Sequence, residues 1–423
     1  MSQVPPLSLD PPIKRRLPPL PLSFGFASTS TSPPPPSPSP SPTVSIPLQN
    51  VTDKEEYPSR LVRLRFPSSQ PATHATDLSP TATTEPRREP LELVLPPSSH
   101  RREAPRHTAE LLGGFLVTLE DCGRQVSLNT DGLPRRFTPP PPSSIPSSLL
   151  AGRGSFVAAD GSAGTFGDLL WVATRSRLRQ DLREYAFVSF RNNFNKLLEA
   201  VWQQRDGWCV EARRVGGTVF LGVRERGAEE VTDGMYAGYK FEDVCTRSSG
   251  EPSAAIDPQD GQYCGVFSVT IGPFRCLLGA ELDCHDGERF VELKTCPEFQ
   301  SRRHEQAYRG WRLRKQWIQS AIVGVPLIFT GFKDGHTLVR THMTRTADIP
   351  SMAIGWSPQQ ALSSALDILS FLHANVASGS DYLLHYIPPE GPKPRRLLLE
   401  QLSPDRPSFL NSSMHLLTDP DNS

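Results

Sequence analysis

The 423-residue sequence carries no net charge, because 45 Lys and Arg are matched by 45 Asp and Glu. No whole-molecule field therefore draws it to nucleic acid, and a polyanion has to meet a local basic surface such as RRHEQAYRGWRLRK at 302–315. Long apolar runs are missing as well. The longest, AIVGVPLIF at 321–329, is broken by Gly and Pro and reads as a buried strand, so a membrane span is not expected, and no signal-peptide pattern is seen. The seven cysteines are scattered, odd in number and never spaced Cys-x-x-Cys, which predicts reduced thiols and argues against a disulfide framework or a zinc site. G-x-x-x-x-G-K-[ST], G-x-S-x-G and H-E-x-x-H are all absent, which removes the phosphate-cradling loop, the nucleophile elbow and the zinc-protease helix. GRGSFVAADGSAG at 152–164 then reads as a flexible loop, and His336 and His342 as ordinary histidines.

Proline is abundant but confined. Fifteen of the 44 prolines fall in residues 1–50, and segments such as SPPPPSPSPSP can neither form a ladder nor bury apolar area. The expectation is a largely disordered region over 1–108, with LVRLRF (61–66) as an isolated strand and IKRR (13–16) as a nuclear-import signal. Dense apolar patterning over 109–388 predicts one domain, followed by a partly ordered tail over 389–423.

Within that domain, LGAELDCHDGERFVELKTC (278–296) places charges in strands that otherwise look buried. Asp-Gly between apolar runs predicts a two-residue hairpin turn at Asp286-Gly287. In that register Cys284 faces Arg289, Asp283 faces Phe290, Leu282 faces Val291 and Glu281 faces Glu292. Side chains two apart on a strand share a face, so Glu281, Asp283, Glu292 and Lys294 project from one side, and Leu282, Val291 and Leu293 from the other. Opposed glutamates repel. Such a cluster needs a cation, raised carboxyl pKa values or water, and hard divalent ions such as Mg²⁺ or Mn²⁺ prefer oxygen ligands of this kind. GYKFEDV (238–244) alternates like a strand and would bring Glu242 to the same place. AYRGWRLRKQWIQSAIVG reads as one helix with Ala307, Trp311, Ile318 and Ile322 near a buried stripe, and with Arg312, Lys315 and Gln319 on a stripe suited to phosphates. A late helix follows, capped by Ser357 with Pro358 in its first turn and Gln360 completing the box; Leu362, Ala365, Leu369 and Leu372 form its apolar stripe.

GYKFE (238–242), AELDC (280–284), VELKT (291–295), KQWIQS (315–320) and VGVPLIFTGFKDG (323–335), in this order, resemble the eukaryotic decapping exoribonuclease family over about residues 165–375. The resemblance implies metal ligation by Glu281, Asp283 and Glu292, with the backbone carbonyl of Leu293 and with Glu242. It further implies that Lys294 and Gln319 meet RNA phosphates near the scissile bond, and that Cys264 lies near the substrate. The family's upstream Trp-Arg-Gly is Phe190-Arg191-Asn192 here, so the arginine, expected at the cap or 5′-nucleotide pocket, is kept while both flanks differ.

The expected fold class is α+β, with two twisted, mostly mixed sheets packed together and helices outside. The expected chemistry is metal-assisted hydrolysis at RNA 5′ ends that carry incomplete caps, nicotinamide-type caps or triphosphates, with glutamates, Asp283 and Lys294 in the catalytic set. Whether 5′→3′ degradation follows stays open. The competing readings are a DNA nuclease and a non-catalytic partner of a 5′→3′ exoribonuclease. The resemblance favours a nuclear location over a cytoplasmic one.

Overall fold

The computed structural model describes residues 89–96, 104–120, 125–130, 132–156, 165–176, 178–223, 230–247, 261–403 and single residues 256, 408 and 410. The segments read as a separate strand (61–66) and an import signal (13–16) lie outside them. The first strands are β1 (Leu91–Val94), β2 (His107–Glu120), β3 (Gln125–Asn129), β4 (Arg135–Arg136) and β5 (Ser147–Ser148). Then come α1 (Phe166–Arg175), β6 (Phe187–Phe190), α2 (Arg191–Glu199), β7 (Trp208–Val215), β8 (Thr218–Gly222) and α3 (Asp233–Thr246). The central part holds β9 (Gln262–Ile271), β10 (Phe274–Leu282), β11 (Cys284–His285), β12 (Phe290–Pro297), α4 (Arg302–Ala307) and α5 (Leu313–Ala321). The chain closes with β13 (Leu327–Asp334), β14 (Thr337–Arg345), α6 (Pro358–Asn375), β15 (Asp381–Ile387) and β16 (Arg396–Gln401).

These strands form two mixed sheets, one ordered β1-β16-β15-β7-β8-β6-β10-β9-β2-β3 and one ordered β4-β11-β12-β13-β14-β5. Alternation along β10 explains how the larger sheet is covered on both faces. Cys276, Leu278 and Ala280 join a core shared with Phe194 of α2, Trp317 and Ile318 of α5, and Leu369 and Leu372 of α6. Leu277 points the other way, to Leu169 and Leu170 of α1. On the smaller sheet, Val291, Leu293, Leu327 and Phe329 pack against Ala237, Phe241 and Cys245 of α3.

The late helix forms as the sequence predicts: Ser357 accepts from Gln360 N, Pro358 opens the first turn, and Leu362, Ala365, Leu369 and Leu372 are buried. Four expectations differ. GYKFEDV is helix, part of α3, because Ala237, Phe241 and Cys245 bury at intervals of four behind a Thr232 cap, and a seven-residue aromatic alternation imitates a strand over so short a window. The helix expected through 307–322 is interrupted by a π-turn at Tyr308–Arg312. The wider turn changes the phase, so Leu313, Trp317, Ile318 and Ala321 bury while Ala307 and Trp311 are exposed. Of AIVGVPLIF, the first residue closes α5 and the strand begins only at Leu327. Finally, residues 91–94 and 396–401, outside the domain limits read from patterning, pair with each other, and β16 pairs with β15, extending the large sheet at its edge. Six described cysteines form no disulfide, and among the described residues no helix is long and apolar enough to cross a membrane.

Candidate metal centre

The site forms where the chain leaves one sheet for the other. Glu281 is still in the large sheet, with β9 Cys264 as its cross-strand partner. Asp283 belongs to neither sheet, and Cys284 already pairs with Val291 in the small one. The expected register is thus corrected by two residues. Asp286 is not a corner of the turn but its cap: its Oδ1 accepts from Glu288 N at 3.0 Å and Arg289 N at 2.8 Å, as a short carboxylate does in loops. Gly287, at φ 115°, takes the left-handed corner. A shift of two preserves which face each residue occupies, whereas a shift of one would have reversed it. Glu281 and Glu292 therefore do not oppose each other in one ladder, but the four charged groups still meet.

Glu292 is the hub, with 1% of its surface exposed. Its Oε2 accepts from Arg191 Nη1 at 3.2 Å, and its Oε1 accepts from Lys294 Nζ at 2.6 Å and Gln319 Nε2 at 2.5 Å. The Lys294 ammonium also donates to the Leu293 carbonyl at 3.0 Å and stands 3.8 Å from Asp283 Oδ2. That Asp283 oxygen accepts from Leu293 N at 2.6 Å, which fixes the carboxylate across the sheet junction. Arg191, the first residue of α2, is 4% exposed and also donates to the Gln319 carbonyl at 3.3 Å. Its guanidinium is buried against Glu292. Cys264 is buried beside Glu281, and burial, then the Glu281 charge, pushes its thiol up to about 12.

Electrostatics separate the carboxyls. Burial, then Glu292, raises Asp283 to about 7. Burial, then Asp283 and Glu281, lifts Glu242 well above the usual carboxylate range. Glu281 is an exposed residue, yet protein surrounds its carboxyl closely enough that burial raises it too, against the pull of Arg191. Burial would do the same to Glu292, but Lys294 and Arg191 outweigh it and hold that carboxyl below its ordinary value. Lys294 is raised: burial disfavours its charge, and Glu292 and Asp283 more than restore it.

Four carboxyls and a carbonyl make an all-oxygen donor set suited to a hard divalent cation. Among the described residues no three His, Cys, Asp or Glu side chains are arranged so that they could hold a metal ion. The Lys294 ammonium already sits on Glu292, Leu293 O and Asp283, the oxygens expected to ligate a metal, so the residues fit the ion once the ammonium gives way. Sequence reasoning missed two neighbours. Arg135 on β4 bears on the charge of Glu242 and Glu281, and Tyr239, 38% exposed one turn before Glu242, feels both carboxylates. The proline-rich surroundings of Arg135 carry no periodic signal; the i,i+3 spacing of Tyr239 and Glu242 becomes visible only once the segment is read as helix.

A family model described as a RAI1-like PD-(D/E)XK nuclease matches residues 118–414. The chain belongs to that family. The decapping and exoribonuclease protein of Homo sapiens is 28% identical over 230 residues, covering 47% of this chain and 57% of that protein. The decapping nuclease RAI1 of Aspergillus fumigatus is 27% identical over 302 residues, covering 62% and 81%. This RAI1-like chain thus spans little more than half the length of the first of these relatives. Its fold matches S. pombe Rai1 in complex with 3′-FADP, with a TM-score of 0.61, 21% identity and coverage of 74% of this chain and all of that one. It also matches Candida albicans Rai1 in complex with pU5-Mn²⁺, with a TM-score of 0.60, 18% identity and coverage of 78% and 98%. The expected family and the α+β class with two mixed sheets are borne out.

A prediction follows from the raised carboxyls. Asp283, ordinarily ionised above 3.8, is raised to about 7 in the fold, so its contribution to metal-free stability is full below the unfolded value and is lost as pH rises through about 7. Glu292, shifted down, acts oppositely, but only below its ordinary range near 4.5. Bound metal requires ionised carboxylates. The rise in melting temperature on adding Mn²⁺ is therefore expected to grow between about pH 5.5 and about pH 7.5; a thermal-shift series showing a constant increment would contradict these assignments.

Proposed function

We propose that this chain is a divalent-metal-dependent hydrolase of RNA 5′ ends, acting on incomplete caps, nicotinamide-type caps or triphosphates. The observation that carries this is the meeting of Glu242, Glu281, Asp283 and Glu292 with Lys294 and Gln319 at the sheet junction, in a chain of the RAI1-like nuclease family. Relatives named decapping nucleases, and a fungal Rai1 bound to 3′-FADP, support a dinucleotide-type or otherwise modified 5′ end as the substrate.

Glu281, Asp283, Glu292 and the Leu293 carbonyl would hold Mg²⁺ or Mn²⁺, with Glu242 directly or through water. When bound, the ion supplies an activated water and offsets charge on the leaving oxygen. Arg191 keeps the Glu292 carboxylate ionised and aimed, acting as a positioning residue. Lys294, whose ammonium stands beside Glu292 and the Leu293 carbonyl, would meet the phosphate and stabilise negative charge there. Gln319, beside Glu292, orients the same phosphate through its amide. Cys264 backs Glu281 from the neighbouring strand.

The test is product analysis on triphosphorylated, unmethylated-cap and nicotinamide-capped RNAs and matched DNAs, with and without Mn²⁺. Metal-dependent release of the 5′ moiety from RNA is expected; turnover confined to DNA would overturn the reading. Nuclear residence and binding to a 5′→3′ exoribonuclease are proposed from the family resemblance alone. Capture of such a partner by an Asp283→Ala variant would separate that role from hydrolysis, and a purely non-catalytic role leaves the burial of so many carboxyls around one ammonium without a purpose.

A further inference from the structure

The helix that delivers Gln319 to Glu292 carries an unusual surface on its outer end. Trp311 is 38% exposed, with Arg312 4.5 Å and Lys315 5.7 Å from its ring centroid. Regular α-helical phase would have put this indole in the buried stripe with Ile318; the π-turn at Tyr308–Arg312 turns it outward instead. Lys315 is half exposed and only loosely tied, with Nζ 3.8 Å from Glu199 Oε2, since Arg314 shares the same carboxylate at 3.6 Å. One turn further along α5 stands Gln319, whose amide touches Glu292. Trp311, Lys315 and Gln319 thus make a column leading to the metal centre. Its length, at 1.5 Å per residue, is roughly 12 Å, a few nucleotides.

We propose that this column is a binding ledge for the body of a single-stranded RNA whose 5′ end lies at the metal centre, with Trp311 stacking a base and Arg312 and Lys315 holding the adjoining phosphates. The inference rests on the RNA-nuclease reading and deepens it. Three features favour RNA. Arg312 and Lys315 lie over the exposed Trp311 ring, so a base that stacks there would release these cations to its own phosphates, and such stacking is tolerant of sequence. The chain as a whole is neutral, so polyanion binding has to be local, and this segment is its densest run of basic residues. The column is also continuous with a side chain that already contacts the proposed centre, whereas a protein partner would have no need of that alignment.

The test measures RNA affinity apart from turnover, using the full chain in an Asp283→Ala background so that RNA survives. Fluorescence anisotropy with 5′-phosphorylated oligouridine of about 12 nucleotides, within the usual range of single-strand sites, is compared with a dinucleotide. Trp311→Ala is expected to weaken the longer RNA about tenfold and the dinucleotide less than about twofold, and Trp311→Phe to retain most of the affinity. No change for the longer RNA, or equal loss at both lengths, would overturn the ledge. So would loss of exoribonuclease capture with RNA affinity intact, which would make the surface a protein-docking site. A chain that cleaves RNA yet ignores Trp311→Ala loses only the ledge; a chain that neither binds nor cleaves RNA loses the nuclease reading as well.

Discussion

Replacing Lys294 with methionine is expected to slow hydrolysis of RNA 5′ ends by about 10²–10³-fold, the usual effect of losing one preorganised group that stabilises transition-state charge, while Mn²⁺ binds no more weakly and on this geometry more tightly. The ammonium donates to Glu292 Oε1 and Leu293 O and stands near Asp283 Oδ2. It therefore occupies the oxygens a metal needs and competes with it. Removing it takes away the competitor and, in the same step, the cation that meets the phosphate. Single-turnover kinetics at saturating metal, with Mn²⁺ affinity by calorimetry, separate the two effects. Unchanged turnover, or binding weakened in parallel with turnover, would mean that Lys294 only shapes the fold.

Arg191→Leu should act mainly on stability. The guanidinium is buried against a glutamate that is itself 1% exposed, and removing one member of a buried ion pair typically costs about 3–5 kcal/mol because the other charge is left uncompensated. Lys294 and Gln319 still hold the second Glu292 oxygen, which places the loss near the lower limit, a drop of roughly 5–10 °C in melting temperature for a domain of this size. Mn²⁺ should restore part of the loss, since it supplies the positive charge that Arg191 provided. Arg191→Lys should rescue little, because Nη1 reaches both Glu292 Oε2 and the Gln319 carbonyl and a shorter ammonium cannot replace that geometry. A variant with wild-type melting behaviour and a defect only in 5′-nucleotide affinity would instead return Arg191 to the substrate pocket.

How much of this was legible in the chain differs residue by residue. The face shared by Asp283, Glu292 and Lys294 could be read because strand alternation has a period of two and survived a register error of two. The late helix could be read because its cap, its proline and its apolar stripe all agree. Glu242 feels the charges of Asp283 and Glu281 but from a helix and not the expected strand, since Tyr239, Phe241 and Glu242 alternate like a strand while the helical spacing of Ala237, Phe241 and Cys245 needs a longer window. Trp311 reads as core in the sequence because a single extra residue in a helical turn leaves no mark on the pattern around it, yet it is exposed.

By itself the sequence determined which residue types are present and their local spacing: an acidic hairpin with a lysine two residues after a glutamate, a basic helix, and an ordered series of motifs. Only the tertiary structure decided that the hairpin's strands divide between two sheets at Asp283, that Arg191 comes from a distant helix to neutralise Glu292, and that Lys294 sits where a metal is expected. The reason is that short-range periodicity reports which side of an element a residue faces, whereas the charges that hold a buried carboxylate come from segments brought together by packing.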